Sequence, residues 1–409
     1  MTQTSKSELT PIDQALRDLL AGLKRIDERE TVPILEANGR ILAQSVVAAI
    51  TVPPHDNSAM DGYAVTAADV VGVPVTLPVT QRIAAGQVGR PLVAGEAARI
   101  FTGAPMPAAA DAVVMQENCR AEGDNVRILQ AVKCGQNVRR AGEDIEAGTT
   151  LFAAGHRLRS QDIGLIAALG ISELALTRRM RVALMTTGDE LVQPGTKLKP
   201  GQIYNSNFYS LSALLQVFDA EVVDVGVVSD DFESTRLALA SAAESVDCII
   251  STGGVSVGEE DHVKAAVEAE GYLDLWKLAI KPGKPLACGK VRGTQFFGLP
   301  GNPVSAVITF LLVVRPCLLR MSGCDSLTPM SFSITADFTR PRSGQRQEYL
   351  RATLPRGKDG SQVLRPFDNQ SSGVGSSLSL ADGLAIIPPY TSVAAGDSLE
   401  FIPFSELLN

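Results

Sequence analysis

Along the chain, apolar positions change period several times, and each change marks a different kind of element. Ile12, Leu16, Leu19, Leu20 and Leu23 recur at the spacing of one helical face. Thr10, Pro11 and Asp13 before them read as N-cap, first helical position and acidic first turn. A second helix-like stretch spans residues 34–43. From residue 51 to about 140 the texture becomes short Val/Ile runs, such as 75–79 and 112–115. Turns at Gly86, Gly89, Gly95 and Gly103 separate them, a β-rich signature. Residues 161–169 again suit a helix, so the chain returns to its first module after an inserted β domain.

From Arg181 strands and helices alternate: strand 182–185, helix 208–218, strand 221–228, helix 232–244, strand 248–251, helix 261–269 and strand 296–299. Asn302 and Pro303 then read as N-cap and first position of a helix to about Met321. Such alternation predicts parallel strands joined by helical crossovers. After Leu327 the pattern is β once more, with strands at 331–338, 348–354 and 384–387, and a Ser/Gly loop at 371–379. The predicted architecture is α/β and β multidomain. A helical or mixed module (1–50 plus 141–178) carries an inserted β-rich domain (51–140), followed by a doubly wound α/β domain (179–327) and a C-terminal β-barrel-like domain (328–409).

Composition fits several cores in 409 residues of 45% apolar content. Thirty-seven Lys and Arg against 45 Asp and Glu give a net charge of -8, which argues against nucleic-acid or anionic-membrane partners and requires any anion site to be locally basic. The six cysteines contain no C-x-x-C pair, as expected of reduced thiols in a cytosolic core. A polar N-terminus and the lack of about 18 uninterrupted apolar residues predict a soluble, cytoplasmic protein with no membrane partner.

In an open α/β sheet, ligands bind beyond the carboxyl ends of the strands. There the strand 248–251 runs into Thr252-Gly253-Gly254-Val255-Ser256-Val257-Gly258, then Glu259, Glu260 and Asp261. Three glycines let backbone approach an anion, with Ser251, Thr252 and Ser256 adding hydroxyls. The structural alternative is a tight turn with acidic helix capping. Neither G-x-G-x-x-G nor a P-loop is present. The acids would repel a phosphate unless a cation intervened, which makes Asp261 a candidate Mg²⁺ ligand. Thr186-Thr187-Gly188-Asp189-Glu190 leaves the first strand, and its carboxylates either share that metal or cap a turn. Residues 277–285 carry Lys277, Lys281 and Lys284 on a turn fixed by two prolines and a glycine, and the surrounding 270–292 has an excess of three positive charges. Lysine is suited to oxyanions, although lysines on an exposed hairpin are common. Residues 298–303 aim a helix N-terminus at the same region. In the β-rich insert, the polar string 56–64 around Asp61 has no apolar period. It suits a polar site or an Asx-turn network.

Together these strings resemble the molybdopterin molybdenumtransferases, the MoeA family, related to the E domain of gephyrin. The resemblance rests on DNSAMDGYAV (56–65), RIFTGAPMP (99–107), RRAGEDI (139–145), TTGDEL (186–191), STGGVSVGEED (251–261), KLAIKPGKP (277–285) and GLPGNPVSA (298–306). His262 departs from it, since an aromatic residue is expected there. The resemblance implies a transferase that takes adenylylated molybdopterin and molybdate, releases AMP and forms the molybdenum cofactor, with Mg²⁺ as cofactor. It implies catalytic roles for Asp61, Thr102, Asp144, Glu190 and Asp261, with Glu190 and Asp261 serving the metal. Ser251, Gly253, Gly254, Ser256, Gly258, Lys277, Lys281, Lys284, Pro300, Asn302 and Pro303 would bind substrate. It further implies a homodimer with an inter-subunit active site, and transient contact with the molybdopterin adenylyltransferase and with cofactor-accepting enzymes. The rival readings are a CinA-like nucleotide pyrophosphate hydrolase, a pterin adenylyltransferase, which resembles only residues 181–327, and a non-catalytic pterin-binding scaffold.

Overall fold

A computed structural model describes residues 9–254, 262–357 and 360–408. The four predicted apolar strands and two further ones assemble into a six-stranded sheet in the order Glu221–Val228, Arg181–Thr187, Cys248–Thr252, Thr294–Leu299, Pro285–Val291, Gly271–Lys277. The first four are parallel. The continuous apolar runs of Arg181–Thr187, Cys248–Thr252 and Thr294–Leu299 follow from cover on both faces, whereas the edge strand Glu221–Val228 leaves Glu221 and Asp224 exposed. Val182, Leu184, Cys248, Ile250, Phe297 and Leu299 pack to one side with helix Ser206–Val217 and the helical run 303–321. Ala183, Met185, Ile249 and Phe296 pack to the other with helices Phe232–Ala243 and His262–Glu270.

Three expectations are corrected here. The sheet is not wholly parallel, because Gly271–Lys277 and Pro285–Val291 form an antiparallel pair at its edge. Their lysines, proline and glycines masked an alternation in which Leu273 and Leu275 pack on one face and Trp276 on the other. Thr10 is no N-cap: its N–H donates to the Lys277 carbonyl (2.8 Å) and its carbonyl accepts from Ala279 (2.7 Å), leaving Pro11 to precede helix Ile12–Ala21. That helix packs Ile12, Ala15 and Leu19 into the α/β core. The helix expected at 34–43 is a single 3₁₀ turn, Ile34–Glu36. Leu35 points to solvent and Gly39 (φ +80°) turns the chain, so Ile41 and Leu42 bridge to Arg157 and Leu176 instead.

The run 303–321 is long and apolar enough to cross a membrane, but 94% of it is buried inside the protein, so it serves as a core helix. Its middle, Phe310–Val314, is a π-helical turn just before Pro316, which lacks the N–H that an α-helix requires. A separate core joins Val32, Leu42 and Val46 to Ile145, Leu158, Ile166 and Leu176, uniting segments on either side of the β insert. The insert itself is a six-stranded sheet from Gly62–Val65 to Asn125–Ile128. In the C-terminal domain, Gln347–Thr353, Val363–Pro366, Phe332–Ala336, Ser398–Pro403 and Gly383–Ile387 pair in sequence. The last strand closes on the first, making a barrel.

Candidate active site

Parallel strands end together, so their carboxyl-terminal loops are forced into one neighbourhood. The ends of Arg181–Thr187, Cys248–Thr252 and Thr294–Leu299 bring Thr187 beside Gly253 and Gly254, and Gly253 beside Gly301. Gly253 has φ +86°, and a Cβ there would lie 2.8 Å from the Thr187 carbonyl oxygen; only glycine fits. Gly253 N–H donates to the Leu299 carbonyl (3.3 Å), tying the second strand end to the third. Ser251, fully buried on the preceding strand, has an Oγ with no hydrogen-bond partner among the described residues. Ser256, Gly258 and Asp261 lie outside the described residues.

Glu190 follows on the first loop. Its carboxylate folds over Gly188, so that a Cβ on that glycine would come within 2.5 Å of Oε2. Glu190 is exposed and forms no ion pair with any described residue. Two residues that sequence reasoning passed over stiffen this corner. Asn205 donates from Nδ2 to Thr186 Oγ1 (2.9 Å) and accepts at Oδ1 from Phe208 N–H, and Asn207 donates to the Gly301 carbonyl (2.8 Å). The string Asn-Ser-Asn before a helix was their one visible signal. Pro300 is buried, Asn302 precedes the helix without a side-chain cap, and Pro303 is its first residue. The Val304 N–H in that first turn donates to the Ser372 carbonyl (3.0 Å), a contact from the C-terminal domain.

The lysine turn reaches the same helix. A Cβ on Gly283 would meet Thr309 Oγ1 at 2.4 Å and Ser305 O at 3.7 Å, so Lys281 to Lys284 run against its first turns. Lys284 is exposed and Lys277 half-buried, while Lys281 Nζ donates to Glu348 Oε1 (3.0 Å). Glu348 is missing from the sequence-derived set because no local pattern links it to a residue 67 positions away.

Strings of the β insert form a second constellation. Asp61 Oδ1 accepts from both the backbone N–H and the Oγ1 of Thr102, each at 2.8 Å. Those two donors, with Arg99 nearby, hold the Asp61 carboxyl below the usual range. Arg99 in turn donates to the Gly62 carbonyl and to Gln116 Oε1, and stacks over Phe101 at 4.6 Å. Asp56 accepts from Ala141 N–H (2.9 Å) and Arg140 (2.5 Å), fastening the 139–145 string to 56–65. Asp144 is exposed, and its N–H donates to Val52. Within one chain, no hydrogen bond or ion pair among the described residues joins Asp61, Thr102 or Asp144 to the strand-end loops.

The described parts of these strings thus fall into two polar clusters, set by a fold whose parts can be compared with known proteins. Models described as MoeA N-terminal region (domain I and II), probable molybdopterin binding domain, and MoeA C-terminal region (domain IV) match residues 10–170, 183–320 and 334–404. A molybdopterin molybdenumtransferase from Haemophilus influenzae is 36% identical over 97% of this chain and 99% of its own length. The chain belongs to the molybdopterin molybdenumtransferase family. A second family member, molybdopterin molybdenumtransferase 2 of Mycobacterium tuberculosis, is 40% identical over 93% of this chain and 96% of its own. Molybdopterin biosynthesis MoeA protein from Pyrococcus horikoshii superposes with a TM-score of 0.82 at 29% identity, over 97% of this chain and 100% of that one. Family membership makes the chain a transferase of molybdenum cofactor biosynthesis and agrees with the four-part architecture.

Proposed function

We propose that the protein takes adenylylated molybdopterin and molybdate, releases AMP and yields molybdenum bound to the pterin. The reading is carried by the strand-end cluster: a glycine-only turn at Gly253, a buried Ser251 hydroxyl with no partner among the described residues and the N-terminus of the helix at Pro303, with three lysines on the adjoining segment. Backbone N–H groups and a helix N-terminus suit a phosphate. Lys277, Lys281 and Lys284 suit the oxyanion and the charge released as the pyrophosphate bond breaks. Asp61 is held ionised, and its Oδ2 accepts no bond from a described residue, which leaves it free as an acceptor.

The donor chemistry fits Mg²⁺. Glu190, exposed and in no ion pair with a described residue, beside the proposed phosphate site is the one- or two-carboxylate setting that Mg²⁺ uses, with substrate oxygens and water completing its shell. Glu190 and Asp261 would hold it, and when bound it would neutralise phosphate charge. Because no hydrogen bond or ion pair among the described residues links Asp61, Thr102 or Asp144 to the strand ends of their own chain, we assign them to the cleft of a second copy, making the working unit a homodimer. We place the reaction in the cytoplasm, between the adenylyltransferase that supplies the pterin and the enzymes that accept the cofactor.

The test is direct. Purified protein given adenylylated molybdopterin, molybdate and Mg²⁺ releases AMP in proportion to cofactor able to activate an apo-molybdoenzyme. AMP release without molybdate incorporation would indicate a hydrolase, and pterin binding without AMP release a scaffold; either result rejects the proposal.

A further inference from the structure

The C-terminal barrel does more than pack against the α/β domain: it reaches the lysine turn with both backbone and side chains. Ile280–Lys281 pairs in parallel with Gln347 and Glu348, extending the barrel sheet by one short strand. Gln347 N–H donates to the Ala279 carbonyl (2.8 Å), and Arg346 Nη1 to the Ile280 carbonyl (3.3 Å). At the end of this ladder Glu348 is 5% exposed, yet it is a carboxylate. Its Oε1 accepts from Lys281 Nζ at 3.0 Å, and its Oε2 accepts from Arg340 Nε and Nη2 at 2.9 and 2.6 Å. Two cations on one buried carboxylate leave a net positive charge, and the half-exposed lysine, which donates to no other described residue, has two of its three donors left for another acceptor.

A buried ion pair of this kind contributes little net stability compared with apolar packing, whereas it fixes geometry well. A lysine otherwise swings on four rotatable bonds, and a misplacement of about 1 Å in a catalytic group costs up to about 10²-fold in rate. We propose that Glu348 is a positioning residue that holds the Lys281 ammonium at the active site, and that this grip is what the C-terminal domain contributes to turnover. The inference rests on the assignment of Lys281 to the anion-binding side of that site.

The sign of the effect separates this role from simple charge balance. Removing the carboxylate takes a negative charge away from an anion site, so molybdate should bind no more weakly. Ordering of the ammonium is lost, so turnover should fall. Glu348→Gln is therefore expected to lower AMP release by roughly tenfold, a coupling typical of contacting charged residues, with molybdate affinity by calorimetry unchanged or tighter. In a Lys281→Ala background the same change should lower turnover no further. If Glu348→Gln does not fold, Glu348→Asp keeps the charge for Arg340 but is one methylene too short for Lys281, and should show the same coupling. The proposal is overturned if turnover stays within about twofold of the parent, or if the two losses multiply in the double variant. If Lys281→Ala alone leaves turnover unchanged, the assignment of Lys281 fails first, and the role of Glu348 with it.

Discussion

Gly253→Ala tests the strand-end cluster most sharply. At φ +86° an alanine is held in the left-handed region, which costs about 1–2 kcal/mol. Its Cβ would also stand 2.8 Å from the Thr187 carbonyl oxygen, while ordinary contact begins at 3.4 Å, so one strand end must retreat by about 0.6 Å. Both atoms are backbone at the ends of paired strands, and neither can rotate away. The shift propagates through Thr187 and Gly188 to Glu190 and adds about 1–2 kcal/mol of strain. Melting of the α/β domain should fall by roughly 5–10 °C. AMP release should fall between about tenfold and a hundredfold, as expected for catalytic groups displaced by a sizeable fraction of an ångström. Gly195→Ala is the control. It has φ +91° but nothing within 4 Å of its Cβ position, so it should lose only about 1–2 kcal/mol and keep its turnover. If the two variants are equally active, the turn at Gly253 does not form the substrate site.

Thr102→Val removes one of the two donors to Asp61, so the carboxyl rises toward its ordinary value and the acid limb of the pH–rate profile moves to higher pH; a profile unmoved by the change would release Asp61 from its catalytic role. Mixing Asp61→Asn with Glu190→Gln, each inactive alone, should restore about a quarter of wild-type activity on subunit exchange, because half of the random dimers carry one intact inter-subunit site. No recovery in mixed samples shown to exchange would place both residues in one chain's site. Asp247 is pushed up by burial, but the stronger combined pull of Arg178, bonded at 2.7 and 2.8 Å, and of the Arg181 N–H holds it below the usual carboxylate range. Its folded pKa lies below its unfolded one, so its stabilisation is present above about pH 4 and is lost as pH falls through the folded value. Asp247→Asn should therefore cost about 2 kcal/mol in urea unfolding at pH 7 and progressively less on acidification.

Much of this protein was legible in the order of its residues. Buried parallel strands must be apolar throughout, and so 182–185 and 248–251 stand out, while the edge strand 221–228 keeps an apolar majority around Glu221 and Asp224; loops at the carboxyl ends must be polar and glycine-rich, and so 186–190 and 251–258 stand out too. Motif strings with fixed spacing identified the family for the same reason: chemistry at a strand end is written in a few consecutive residues. The edge hairpin 271–291 and the failed helix at 34–43 were not legible, since pairing partners and turn geometry overrode local period there.

Sequence alone therefore determined which segments form the core and which loops carry polar chemistry, because both follow from local patterns of burial. Only the tertiary structure decided how those loops meet. Gly253 lies against Thr187, Ser372 binds the first turn of the helix at Pro303, and Glu348 grips Lys281, all through contacts between residues far apart in the chain. Such contacts depend on how whole sheets stack and close, and no window of sequence contains both partners.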